Sequence, residues 1–349
     1  MAAAIWNTIK VVLVVEAISL PFAIMIAWLL ARSDVPFAGG FEFIFWIAFF
    51  VPVLSATSGW IVLLDPQTGL INQILRSAFG VAPFDICTFW GIVWTHVATN
   101  AVAVKVMLLA PIFRNLDSSH EEASRISGGG QFYTLRRVVL PLASPGIATV
   151  FVLATIRGLQ TFEIEQVLGA PTNFWVFGNL IYRLIEQQPP EFGPAMVLSS
   201  LVMVLIVPLI IFHRWIIGRN EYGTVSGRMK IEPMKLGLLR WPVFMLLSLT
   251  ITVLVALPVC SLAMSTFMKL FGFFNIPEPW TMQNWKKVIE DDFFMHAVVN
   301  TAKIAGTSAL LSMLLSMLLA YFIVRTDFPG RAILDFATWL PFALPGILF

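Results

Sequence analysis

Two kinds of residue in this 349-residue chain can do chemistry: polar groups stranded inside long apolar runs, and one polar stretch set between two such runs. Glu16 lies about eight residues, or roughly 12 Å at 1.5 Å per residue, into the run from Thr8 to Ala31. A carboxylate at that depth is a functional candidate by default. It either faces a transport path or meets a polar neighbour on another helix. Asn100 and Lys105 sit on a later run, more than one turn apart, and can face the same route. Glu16 and Asn100 are therefore the candidate pathway residues, whereas Lys105, with its long stem, is expected to snorkel toward the inner surface. The four histidines, His96, His120, His213 and His296, fall on separate segments without metal-site spacing. Cys87 and Cys260 match no metal or redox motif, and their positions leave pairing open. Neither a Ser/His/Asp arrangement nor a zinc helix motif is present. Gly128-Gly129-Gly130 is not a phosphate-binding loop, because no Lys-Ser/Thr follows it. No enzymatic activity, cofactor or resident metal is expected of these residues.

The polar stretch runs from Ser118 to Pro141. Ser118 or Ser119 is placed to cap a helix, with Glu121 or Glu122 as the reciprocal partner. That helix is expected to reach Ile126 and stop at Gly128, since glycine accepts the left-handed conformation of many helix ends. A second amphipathic turn, Phe132 to Val139, then leads to Pro141 in the first turn of the next helix. Glu122-Ala123-Ser124, three residues, Gly128, nine residues and Val138-Val139-Leu140-Pro141 resemble the EAA loop of ABC importer permeases. The family pattern is Glu-Ala-Ala, three residues, Gly, nine residues, Ile-x-Leu-Pro. This chain departs from it at Ser124 and Val138, and adds Gly129-Gly130. The resemblance implies that the loop 114–140 is a coupling helix docking on an ATP-binding subunit. Its contact residues would be Glu121, Glu122, Ala123, Ser124, Gly128, Leu140 and Pro141. Within that set Glu122 supplies the charged contact, Ala123 the close-packing one and Gly128 the turn.

Hydrophobic residues make up 58% of the chain and charged residues only 12%, against about 25% charged in a soluble domain. An all-α, polytopic membrane protein is required. The net charge of +2 is uninformative about nucleic acid, but no basic stripe with interleaved aromatics is present, so membrane lipids and not nucleic acid are the expected partners. The first apolar segment is too long, and lacks the small-residue site, to be a cleavable signal. Spans are expected near 8–31, 43–64, 89–113, 141–159, 195–217, 241–266 and 297–324, with an eighth beginning near Ala332. Short helices are expected over Leu70–Phe79 and Val176–Glu186, and a soluble loop over Met268–His296. With the loop 114–140 inside, the inner segments hold twelve Lys and Arg residues and the outer ones five, in the sense that positive charge dictates. Acidic residues such as Glu163, Glu165, Glu191 and Glu278 fall outside.

A parallel repeat appears when the chain is shifted by 293 residues. Asn7, Thr8 and Lys10 fall on Asn300, Thr301 and Lys303, and Arg32-x-Asp34-x-Pro36 falls on Arg325-x-Asp327-x-Pro329. Glu16 falls on Ala309, outside the shared scaffold. Residues 1–217 are thus expected to form one permease unit of about five membrane helices. Residues 218–240 form a basic cytoplasmic linker, and 241–349 begin a second unit with about three helices. The partner of the first coupling loop would lie past Phe349, so the parent chain is expected to continue, and only six residues precede Asn7.

The resemblance then implies the type I ABC importer architecture, a tandem with its second unit truncated, in the bacterial inner membrane. ATP would be hydrolysed on a separate subunit, and a periplasmic or extracellular binding protein would deliver substrate. Fused two-unit permeases serve iron(III), thiamine, polyamines and organophosphonates. The segment Phe162–Gly169, with Ile181-Tyr182 and Pro189–Gly193, is most similar to the iron(III) type, departing from it at Glu165, where that group often has Pro. An ion-coupled secondary transporter is the alternative of another class, but it does not call for the Glu122-to-Pro141 pattern.

Overall fold

A computed structural model of the chain describes residues 2–219, 233–274 and 276–343. Six of its helices are long and apolar enough to cross a membrane, or seven with one bent pair. Among the described residues the only extended pairings are two isolated bridges, Ser33 with Met234 and Met268 with Trp280. The chain divides into one compact unit up to Leu262 and another from Ala263.

The first unit is built on α1 (Ala2–Arg32) and α5 (Phe89–Arg114). Ala23 and Ala27 on α1, and Val106, Leu109 and Ala110 on α5, are fully buried in the core that these helices share. Small side chains allow helices in lipid to approach closely, where packing rather than water drives association. Between them lie α2 (Ala38–Phe50), α3 (Val53–Leu64) and α4 (Leu70–Phe79). The span expected over 43–64 is broken by a corner: α2 and α3 meet at 101°. Pro52 has no amide hydrogen and forces Val51 out of the helical region, to φ −69°, ψ 123°.

After α5 come α6 (Ser119–Ile126), α7 (Leu140–Leu159), α8 (Glu163–Leu168), α9 (Phe177–Glu186) and α10 (Phe192–Arg219). The short helix α8 precedes the expected helix over Val176–Glu186, here α9. Most of the expected linker 218–240 lies outside the described residues, which resume with the lead-in to α11 (Gly237–Ser265). That helix packs on the first unit: Phe244 stacks against Phe41 with centroids 5.5 Å apart, and Ser261 donates to the Gly59 carbonyl at 3.0 Å. Three membrane helices carry or adjoin a wide, π-type turn: Val97–Ala101 in α5, Leu135–Val139 ahead of α7, and Thr252–Ala256 in α11.

In the second unit the expected soluble loop 268–296 is partly helical. It contains α12 (Gln283–Ile289) and the start of α13 (Asp292–Arg325). Asn284 donates to the carbonyls of Met268, at 2.8 Å, and Thr266, and so anchors α12. Asp291 caps α13 through the Phe293 amide, which is why the helix begins well before its apolar run. The side chains of α13 are exposed along almost its whole length, and α14 covers Arg331–Ala343.

Candidate functional site

The polar stretch folds as two short legs. The Asp117 carboxylate accepts from the Ser119 amide at 2.9 Å and is held below the usual carboxylate range by that bond. Asp117 therefore serves the start of α6, where a negative charge also suits the helix dipole. The expected Ser/Glu capping box is absent. Ser118 has helical angles, φ −72° and ψ −18°, and its buried hydroxyl has no partner among the described residues.

Along α6, adjacent residues take inward and outward roles. Glu121 is buried and reaches Arg32 at 3.5 Å and Arg125 at 3.8 Å. Glu122 and Ala123 face water. Gly128 stops the helix at φ +82°, and the Gly129 amide donates to the Ser124 carbonyl at 2.8 Å. The second leg is pinned to the first by the Ser124 and Thr134 hydroxyls, 2.8 Å apart. Ile126 is 88% exposed, Phe132 74% and Tyr133 59%. Glu122, Ala123 and these three residues are the accessible part of the loop, a mixed acidic and apolar set of the kind that marks a protein-docking site. The second leg is not a separate helix. Gln131–Thr134 runs through the wide turn straight into α7, so half-buried Leu140 and exposed Pro141 lie within a continuous helical rod.

Gly128→Val tests the turn. No neighbour lies within 4 Å of an added Cβ, so the cost is backbone strain alone, roughly 1–2 kcal/mol for a left-handed residue. Tryptic cleavage after Arg125 should accelerate while the unfolding midpoint of the bundle stays put. Unchanged cleavage would remove the need for glycine there.

Inside the membrane span, Glu16 meets Lys105 rather than open space. The Lys105 ammonium donates to Glu16 Oε1 and to the Ser19 hydroxyl, each at 2.9 Å. The expected snorkelling of Lys105 is thus corrected. The lysine lies too deep in the α1–α5 contact to reach water, and a buried carboxylate one helix away offers a better partner. Asn100 is not part of this cluster. It lies half-buried on the wide turn of α5, with its side-chain oxygen unpartnered among the described residues.

One pair carries no signal in the sequence. His96 Nε2 lies 2.8 Å from Glu165 Oε1, and Thr161 donates to the other carboxylate oxygen at 3.3 Å. Glu165 is fully buried on α8. Separated by 69 residues, the two look like an isolated histidine and one more outer acid. Among the described residues no three His, Cys, Asp or Glu side chains gather as metal ligands, and Cys87 and Cys260 are free thiols. Burial pushes the Cys87 thiol up.

Residues 19–221 match the family described as binding-protein-dependent transport system inner membrane component. The ferric transport system permease protein FbpB of Actinobacillus pleuropneumoniae is 29% identical over 296 residues, 82% of this chain and 42% of that protein. A putative ferric transport system permease protein, FbpB 1 of Haemophilus influenzae, is 27% identical over 82% of this chain and 45% of its own length. The chain thus spans less than half the length of these two relatives. The molybdenum transport system permease protein ModB of Escherichia coli is 27% identical over 63% of this chain and 96% of its own. Among solved structures, a bacterial alginate ABC transporter in complex with its alginate pentasaccharide-bound periplasmic protein shares the fold. It has a TM-score of 0.55 and 18% identity, over 62% of this chain and 78% of that one.

Proposed function

Because the chain belongs to the family of binding-protein-dependent transport system inner membrane components, we propose that it is the permease of an ATP-driven importer for iron(III). The observation that carries the substrate is the similarity to two ferric permeases over 82% of the chain. In this reading ATP is hydrolysed on a separate subunit. That subunit docks on the exposed residues of the loop 114–140, with Glu122 as the charged contact, Ala123 as the close-packing one and Gly128 as the turn. A binding protein delivers iron to the outer loops and holds it with its own ligands.

The 293-residue repeat supports residues 1–217 as one permease unit, 218–240 as a linker and 241–349 as the start of a second. The alternation between inward- and outward-facing states would follow ATP-driven movement of the coupling loop. Glu16 and Asn100 remain the proposed intramembrane polar residues of the path, with Glu16 in contact with Lys105 rather than free.

Uptake of labelled iron by cells carrying the full-length transporter and its binding protein tests the substrate. Iron accumulation that depends on ATP and on the binding protein is expected. A second reading, molybdenum import, is favoured by the alignment with nearly the whole of ModB. Uptake of labelled molybdate, thiamine or putrescine without an iron signal would overturn the iron assignment.

A further inference from the structure

Arg32, at the inner end of α1, is 2% exposed. One of its terminal nitrogens, Nη2, donates to the Leu116 carbonyl and lies 3.5 Å from Glu121 Oε1 on α6. Its Nε and Nη1 have no acceptor among the described residues. The same corner receives the lead-in to α11. Met234 donates to the Arg32 carbonyl at 2.8 Å, the Asp34 amide donates to Met234 at 3.0 Å, and the Leu236 amide donates to the Asp34 carboxylate at 2.8 Å. Gln131, on the second leg, reaches the Lys235 carbonyl at 3.3 Å. Three elements that are far apart in sequence therefore converge on residues 32–34: the α1 terminus, the loop 114–140 and the start of α11. The residues concerned lie in the motif that the repeat duplicates, Arg32-x-Asp34-x-Pro36.

A corner built only for stability would leave no buried donors unused, because a buried, half-satisfied charge is worse than an apolar substitute. A separation of 3.5 Å is too long for a hydrogen bond, so Glu121 is charge-paired but not locked. The guanidinium presents five donors in a planar fork, and a carboxylate can pass from one edge of it to another without losing its counter-charge.

We propose that Arg32 is a positioning residue that takes the displacement of α6 through Glu121. It passes that displacement to α1 directly and to α11 through the backbone pairing of 32–34 with 234–236. The Nε and Nη1 donors, which have no acceptor among the described residues, receive Glu121 in the second position of the loop. This rests on reading 114–140 as the ATPase-coupling loop, but it concerns transmission within the permease rather than docking on it.

The test uses the full-length protein with its ATPase subunit and binding protein in proteoliposomes, scored as substrate moved per ATP hydrolysed. Wild-type vesicles come first. If they show neither ATPase co-purification nor ATP-dependent uptake, the functional reading fails, independently of Arg32. Arg32→Gln should lower the ratio about tenfold, within the 5–150-fold span of a typical coupling energy, while the ATPase subunit still co-purifies. Arg32→Lys should restore little, since a point charge lacks the fork. The exchange Arg32→Glu with Glu121→Arg should recover part of the ratio. A wild-type ratio in Arg32→Gln overturns the proposal, as does loss of ATPase binding together with the ratio. If Arg32→Gln fails to fold, Glu121→Gln decides, and an unchanged ratio there overturns it equally.

Discussion

Lys105→Met is expected to destabilise the helix bundle by roughly 3–5 kcal/mol, the cost of breaking a buried charge pair from one side. The lysine side chain is 2% exposed and that of Glu16 7%. Removing the ammonium leaves a carboxylate between apolar helices, with Glu16 Oε2 already lacking a partner among the described residues. Glu16→Leu should be costly for the mirror reason, stranding the ammonium with only Ser19. The double variant, Glu16→Leu with Lys105→Met, should recover most of the loss, because replacing a buried ion pair by well-packed apolar groups is often neutral or stabilising. Unfolding midpoints of the four proteins in detergent measure this. Equal destabilisation of the double variant and the singles would show that packing volume, not charge compensation, governs the site.

Gly59→Ala should separate α3 from α11 at a cost of about 1–3 kcal/mol, typical of overpacking. An added Cβ would fall on the Pro258 carbonyl oxygen, with the Pro258 Cα 3.1 Å away. Both sides of this contact are backbone, so no side chain can swing aside. The hydrogen bond from Ser261 to the Gly59 carbonyl, 3.0 Å long, would stretch with it. Cysteine labelling at Ser261→Cys should quicken in the Gly59→Ala background. Gly39→Ala is the matched control, since nothing lies within 4 Å of its added Cβ. Labelling that is equally slow in both backgrounds would mean that the two helices yield without separating.

The elements that the sequence made legible are those governed by local patterns. Leu70–Phe79 forms the helix expected of it because its apolar residues recur at helical spacing and Gly80 stops it at φ +70°. Long apolar runs became membrane-length helices because a backbone in lipid has to satisfy its own hydrogen bonds. Features set by other segments were not legible. Whether Ser118 or Asp117 starts α6 depends on how α5 ends. Pro52 can kink a span or break it, and the choice fell to the packing around α2 and α3. Lys105 and Glu16 are 89 residues apart, and His96 and Glu165 are 69 apart. Neither spacing carries a periodic signal. In the polar stretch Ser118–Pro141 the sequence pattern did not say which of two adjacent glutamates turns inward. Helical geometry sends Glu121 and Glu122 in different directions, and only the burial of Arg32 fixes which is which.

The contacts at the two ends of α1 also give the direction of α5 relative to it. Near the beginning of α1, Lys10 lies over the Phe89 ring at 4.3 Å, Asn7 donates to Trp175, and Thr8 accepts from Phe177. At its other end, Arg32 touches Leu116 and Glu121, and Ser33 pairs with Met234. Phe89 opens α5 and Leu116 follows its close, so α1 and α5 run in the same direction. The chain leaves α1 on one face and must re-enter α5 from the opposite one. Between them α4 has only ten residues, so the bent pair α2–α3 makes the full crossing despite its corner. Each limb alone, at roughly 18–20 Å, falls short of a hydrocarbon core of about 30 Å. A hairpin that dipped in and returned would put Arg32 and Glu121 on opposite faces. Continuing the same count through α7, α10 and α11 gives six crossings. An even number returns the far end of α11 to the face from which α1 began.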